Sequence, residues 1–100
     1  MSEFTNKSVL ITGASRGVGR ETALAFGDDG ARVCVNYANS AAQAEQTVQE
    51  IEAAGGKAFA CQADSADSAQ VKTMVAATLD AFGSIDILVN NAGLSLDGPF

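Results

Sequence analysis

Apolar positions in this chain fall into two alternating kinds of run. Short, continuous runs rich in β-branched residues occur at Ser8-Val9-Leu10-Ile11, Arg32-Val33-Cys34-Val35-Asn36, Lys57 to Cys61, and Asp86-Ile87-Leu88-Val89-Asn90. Between them, apolar residues recur three and four positions apart. A continuous apolar run suits a parallel strand buried on both faces, whereas the longer period suits a helix with one inward face. The first helix is expected from about Gly17 to Asp28-Asp29-Gly30, with Val18, Thr22, Ala25 and Phe26 inward. The second is expected after a cap at Asn39 or Ser40, with Ala44, Val48 and Ile51 inward and Gly55-Gly56 at its end. The third runs from about Ser68 to Phe82, with Val71, Met74, Val75, Leu79 and Phe82 at helical spacing and Gly83 closing it.

Strand and helix alternate throughout, which argues for an α/β chain: a Rossmann-like, doubly wound parallel sheet of about four strands and three helices, joined by right-handed crossovers. In such sheets a ligand lies across the carboxyl ends of the strands. Those ends carry Thr12-Gly13, Asn36-Tyr37, Asp64-Ser65 and Asn90-Asn91-Ala92-Gly93. Any one of these pairs could be ordinary turn chemistry. Four along one edge favour a binding crevice.

The first of these ends is the most specific. Thr12-Gly13-Ala14-Ser15-Arg16-Gly17-Val18-Gly19 follows a strand and opens a helix, with glycines spaced G-x-x-x-G-x-G. Gly13 and Gly17 can take backbone angles that a Cβ disfavours, and Gly19 leaves room for the helix to lie close to the sheet. The unpaired N–H groups of the new helix, aligned with its dipole, then form an anion site suited to a pyrophosphate.

Composition narrows the alternatives. A length of 100 residues allows one small domain, and 47% hydrophobic with 18% charged residues places the chain among globular rather than disordered sequences. The net charge is −6 and the six cations are scattered, which argues against nucleic-acid binding. No apolar stretch reaches membrane-spanning length, and Met1 to Thr5 lacks the pattern of a signal peptide, so a cytoplasmic location is expected. Cys34 and Cys61 sit singly inside strand-like runs, where a thiol usually serves as a small buried hydrophobe; no metal role is expected.

The glycine turn, Asp64 after the third strand and Asn90-Asn91-Ala92-Gly93 after the fourth occur in the order and spacing of the short-chain dehydrogenase/reductase family, which the whole chain resembles. Within that family it is most similar to bacterial reductases of 3-oxoacyl groups on acyl carrier protein. The resemblance implies that Gly13, Ser15, Arg16, Gly17, Val18 and Gly19 hold the cofactor pyrophosphate. It implies further that Asp64 contacts the adenine edge and that Ser65 offers its backbone to the same ring. Ser65 stands where relatives often carry an aliphatic residue. Asn90, Ala92 and Gly93 would line the ribose and nicotinamide side, while Thr12 and Asn91 brace the turns.

Cofactor choice follows from charge. A carboxylate at the end of the second strand would repel a ribose 2′-phosphate of about −1.5 to −2 charge. Here that end is Asn36-Tyr37, no acidic residue occurs between Asp29 and Glu45, and Arg16 sits in the turn. A charge-assisted hydrogen bond from Arg16 contributes about 1.5 to 3 kcal/mol, so NADP(H) is expected over NAD(H). On this argument, Asn36→Asp should weaken NADP more than NAD.

The family's catalytic Ser and Tyr-x-x-x-Lys are absent, and Tyr37, the only tyrosine, is followed four positions later by Ala41. Residues 1–100 are therefore expected to be the NADP-binding amino-terminal part of a single Rossmann domain. That part is incomplete relative to the family and inactive alone. The resemblance implies a full-length homotetramer acting on a small-molecule or acyl-carrier-bound carbonyl. A stand-alone dinucleotide-binding module and a self-associating fragment that binds no nucleotide are the alternatives.

Overall fold

The computed structural model describes residues 3–91. In chain order the elements are β1 (Ser8–Ile11), α1 (Gly17–Asp28), β2 (Arg32–Tyr37), α2 (Ala41–Ala53), β3 (Lys57–Gln62), α3 (Ser68–Phe82) and β4 (Ile87–Val89). The sheet order is β3-β2-β1-β4, and every pairing is parallel. Parallel pairing puts the carboxyl ends of all four strands on one edge, and the reversal of chain order at β1 sets the glycine turn within that edge.

Alternation along the strands builds two cores. Val9, Ile11, Val33 and Val35 face α1 and α2, meeting Ala23, Ala44, Val48 and Ile51. Leu10 and Cys34 face the other way, toward Met74 of α3 with Phe59, Val71 and Phe82 around them. The expectation of a sheet covered on both faces is met.

The face that α1 turns inward differs from the one expected. Gly19, Ala23 and Gly27 are buried, whereas Val18 is 72% exposed. Close approach explains the difference: a Cβ on Gly27 would come within 2.7 Å of Ile51 Cγ2. Small residues four apart let α1 lie against β1 and α2, which leaves Val18 and Ala25 exposed on an outer wall and Thr22 half-buried, while Phe26 packs at the margin of the core. Phe26 is half-buried there, edge-on to Phe4 with ring centroids 5.1 Å apart.

In α3, Thr78 is buried and its hydroxyl donates to Met74 O at 2.9 Å, while Leu79 is exposed. Returning the hydroxyl to its own helix lets a polar residue occupy a core position. Asp67 caps α3 by accepting from Ala69 N and Gln70 N, and Gly83 ends it in the left-handed conformation. Ser40 occupies the N-cap position of α2, but its side chain makes no cap bond. Strand β4 lies at an edge of the described sheet, with Ile87 and Val89 half-buried and Leu88 exposed. Its start is clasped to β1, since Ser8 N donates to Asp86 Oδ2 at 2.8 Å and Asp86 N donates to Ser8 O at 2.9 Å.

Candidate functional site

The chain leaves β1 through Thr12, whose N–H donates to Val89 O at 3.0 Å and whose hydroxyl donates to Asn90 Oδ1 at 3.2 Å. Gly13 follows at φ 63°, and its carbonyl accepts from Asn91 Nδ2 at 3.1 Å. Thr12 and Asn91 thus tie the ends of β1 and β4 together, as expected. On the other side, Gly13 N donates to Asn36 Oδ1 at 3.0 Å and Ala14 N donates to Asn36 O at 2.8 Å.

Helix α1 begins immediately after this turn. Its N-cap, Arg16, has extended backbone and makes no side-chain cap bond. The first intrahelical bond runs from Arg20 N to Arg16 O, so the N–H groups of Gly17, Val18 and Gly19 have no acceptor within the helix. Gly17 has φ +62° and nothing within 4 Å of where a Cβ would stand, so the space before the helix end is open. Ser15 is buried at the base of the turn, and Arg16, Gly17 and Val18 are exposed. Arg20 is held by Glu50 and lies 3.6 Å from Glu21, whereas among the described residues no carboxylate closes on Arg16.

A groove of about 950 Å³ has Ser15, Arg16, Gly17 and Val18 at one end and continues along α1 past Thr22 to Phe26 and Asp29. Only its first part belongs to the strand ends. The remainder follows the outer wall that α1 leaves uncovered.

The third strand end is built by a short loop. Ala63 N donates to Tyr37 O at 3.0 Å, Asp64 N donates to Gln70 Oε1 at 2.8 Å, and Asp64 Oδ1 accepts from Ala66 N at 2.9 Å. Asp64 and Ser65 are exposed, and Tyr37 is half-buried against the α1 and α2 core. Sequence reasoning missed Gln70, although Asp67-x-x-Gln70 has the spacing of a capping box. Ser65 and Asn90 also border a smaller cavity of about 180 Å³ floored by Leu10, Met74 and Leu88. Ala92 and Gly93, expected on the nicotinamide side, lie outside the described residues.

One expected contact residue is placed differently. Asn36 is 2% exposed, and its amide is turned into the protein, with Nδ2 donating to Cys61 O at 3.2 Å and Ala63 O at 3.1 Å. It cannot stand at the crevice as a neutral substitute for a ribose-binding carboxylate. Its replacement by Asp would disturb these bonds rather than test phosphate repulsion. The electrostatic argument therefore rests on Arg16 and on the uncharged stretch after β2.

The model of the short chain dehydrogenase family matches residues 7–100. The 3-oxoacyl-(acyl-carrier-protein) reductase FabG of Staphylococcus aureus is 52% identical over 91 residues, which are 91% of this chain and 37% of that protein. The 3-oxoacyl-(acyl-carrier-protein) reductase of Synechocystis is 48% identical over 97 residues, covering 97% of this chain and 39% of the relative. A solved short chain dehydrogenase from Burkholderia cenocepacia, in complex with NADP, is 45% identical with a TM-score of 0.88, covering 99% of this chain and 42% of that one. The chain thus spans well under half the length of these relatives. With a glycine turn, a parallel sheet and a sequence that all agree across nearly its whole extent, the chain belongs to the short-chain dehydrogenase/reductase family.

Proposed function

We propose that this chain is the cofactor-binding part of an NADP(H)-dependent oxidoreductase that interconverts a ketone and a secondary alcohol, with acyl-carrier-bound 3-oxoacyl groups as the substrate class. The observation that carries the cofactor choice is Arg16, which stands exposed beside the open turn with no carboxylate closing on it among the described residues. The names of the reductase relatives support the substrate class, and the NADP-bound relative supports the cofactor.

The donor set fits a dinucleotide. The free N–H groups of Gly17, Val18 and Gly19 face the pyrophosphate position, and Ser15 closes the base of the turn. The Arg16 guanidinium pairs with the 2′-phosphate beside the uncharged Tyr37-Ala38-Asn39 stretch. Asp64 and Ser65 would bind the adenine, and Asn90 would border the ribose and nicotinamide side. When bound, the nicotinamide supplies or accepts the hydride. The Ser and Tyr-x-x-x-Lys that the family uses for proton transfer are not among these 100 residues, so this reading assigns them cofactor binding without turnover. A cytoplasmic homotetramer completes this reading.

Calorimetric titration of the folded chain with NADPH and NADH, with sedimentation to follow its association, tests the proposal. Selective NADPH binding is expected. A preference for NADH, or a folded chain that binds neither, would overturn it.

A further inference from the structure

Asn36 makes more connections than a core position requires. Oδ1 accepts from Gly13 N, Nδ2 donates to both Cys61 O and Ala63 O, and its backbone carbonyl accepts from Ala14 N. Only this amide orientation satisfies all the partners: the flipped amide would set its NH₂ against an N–H and its oxygen against two carbonyls. One buried side chain thereby joins the glycine turn after β1 to the end of β3, two segments that share no strand pairing.

These bonds have two consequences for a ligand at the strand ends. The N–H groups of Gly13 and Ala14 are already used, so an incoming phosphate is left with the first amides of α1. The loop carrying Asp64 and Ser65 also starts from a carbonyl, Ala63 O, that Asn36 holds. We propose that Asn36 is a positioning residue that sets the separation between the pyrophosphate turn and the adenine loop before the ligand arrives. This rests on the dinucleotide reading above. Preorganisation of this kind lowers the ordering cost of binding and favours a ligand that spans both segments over one that touches a single segment.

The experiment compares the wild-type chain with Asn36→Ala, which introduces no charge beside the turn and removes the acceptor for Gly13 N together with both donors to the end of β3. NADPH is titrated by calorimetry and adenosine, which lacks the pyrophosphate, by NMR. Asn36→Ala is expected to weaken NADPH about tenfold while adenosine changes by less than about twofold. Equal NADPH affinity, or the same loss for both ligands, would overturn the positioning role.

Amide hydrogen exchange on the wild-type chain makes the test independent of how the variant folds. The amides of Gly13 and Ala14 are expected to be protected without ligand and to change little with NADPH, while those of Gly17 to Gly19 gain protection. Unprotected Gly13 and Ala14 amides in the ligand-free chain would overturn the inference even if NADPH binds. A wild-type chain that binds no NADPH but protects those two amides would instead overturn the dinucleotide reading.

Discussion

Gly19 lies directly beneath the carbonyl of Gly13: a Cβ built on Gly19 would stand 2.2 Å from that oxygen and 2.6 Å from Asn91 Nδ2. The first obstacle is backbone and the second is the amide that braces it, so the turn cannot yield by a rotamer change. Gly19→Ala is expected to lower stability by about 1 to 3 kcal/mol, as overpacking does, and to displace the turn. Gly17→Ala meets no neighbour within 4 Å and carries only the strain of φ +62°, about 1 to 2 kcal/mol. Urea unfolding of the two variants, with NMR shifts at Asn91, separates clash from strain, since only Gly19→Ala should move the Asn91 amide.

Arg16 is exposed and Arg20 is paired, so the two cations nearest the turn should differ in their effect on cofactor choice. Arg16→Ala is expected to weaken NADPH by about 1.5 to 3 kcal/mol, roughly tenfold to hundredfold, and to leave NADH nearly unchanged. The ratio of the two dissociation constants is the quantity to measure. An equal loss for both cofactors would remove Arg16 from the 2′-phosphate.

The backbone N–H of Ser8 holds the Asp86 carboxyl below its ordinary value near 3.8, with Ser84 and the charges of Lys7 and Arg32 acting in the same direction against desolvation. A carboxyl with a depressed folded pKa contributes stability that is present above the unfolded pKa and is lost as pH falls through the folded value. Acid unfolding below about pH 4 should therefore be less steep in Asp86→Asn than in the wild type. Parallel profiles from circular dichroism at stepped pH would show that the clasp of β4 to β1 does not depend on the charge.

Burial pushes the Cys34 thiol from 9.0 up to about 12, with a Thr78 hydrogen bond acting weakly the other way, and burial also raises Cys61. The folded state retains the Cys34 proton longer than the unfolded chain, so this contribution is full below about pH 9 and is lost as pH rises toward the folded value. Cys34→Ala is expected to flatten the alkaline side of the stability profile. In the native chain iodoacetamide should reach Cys61 before Cys34, and in denaturant both should react together; peptide mass spectrometry reads the order.

Much of this architecture is legible in the chain. All three helices and the body of each strand follow from apolar period and from Gly, Asp and Ser at the boundaries, because those signals act within one or two turns. The glycine turn was readable for the same reason: Thr12 to Gly19 carries its geometry within eight positions. The inward face of α1 is only partly legible, because apolar residues announce a buried stripe, whereas this helix centres its contact on residues small enough to let Ile51 and Gly13 approach, with Phe26 at the margin. The burial of Asn36 is not legible in the sequence, because its place at the end of a strand is local information and the direction of its side chain is not.

The sequence by itself determined the order of elements, the glycine turn and the uncharged stretch after β2, since each depends on neighbours along the chain. Only the tertiary structure decided which polar groups at the strand ends stay open and which hold the turns together. The bonds that make this choice join Gly13 to Asn36 across 23 positions and to Asn91 across 78, and such partners exist only after the sheet has brought the strand ends to one edge.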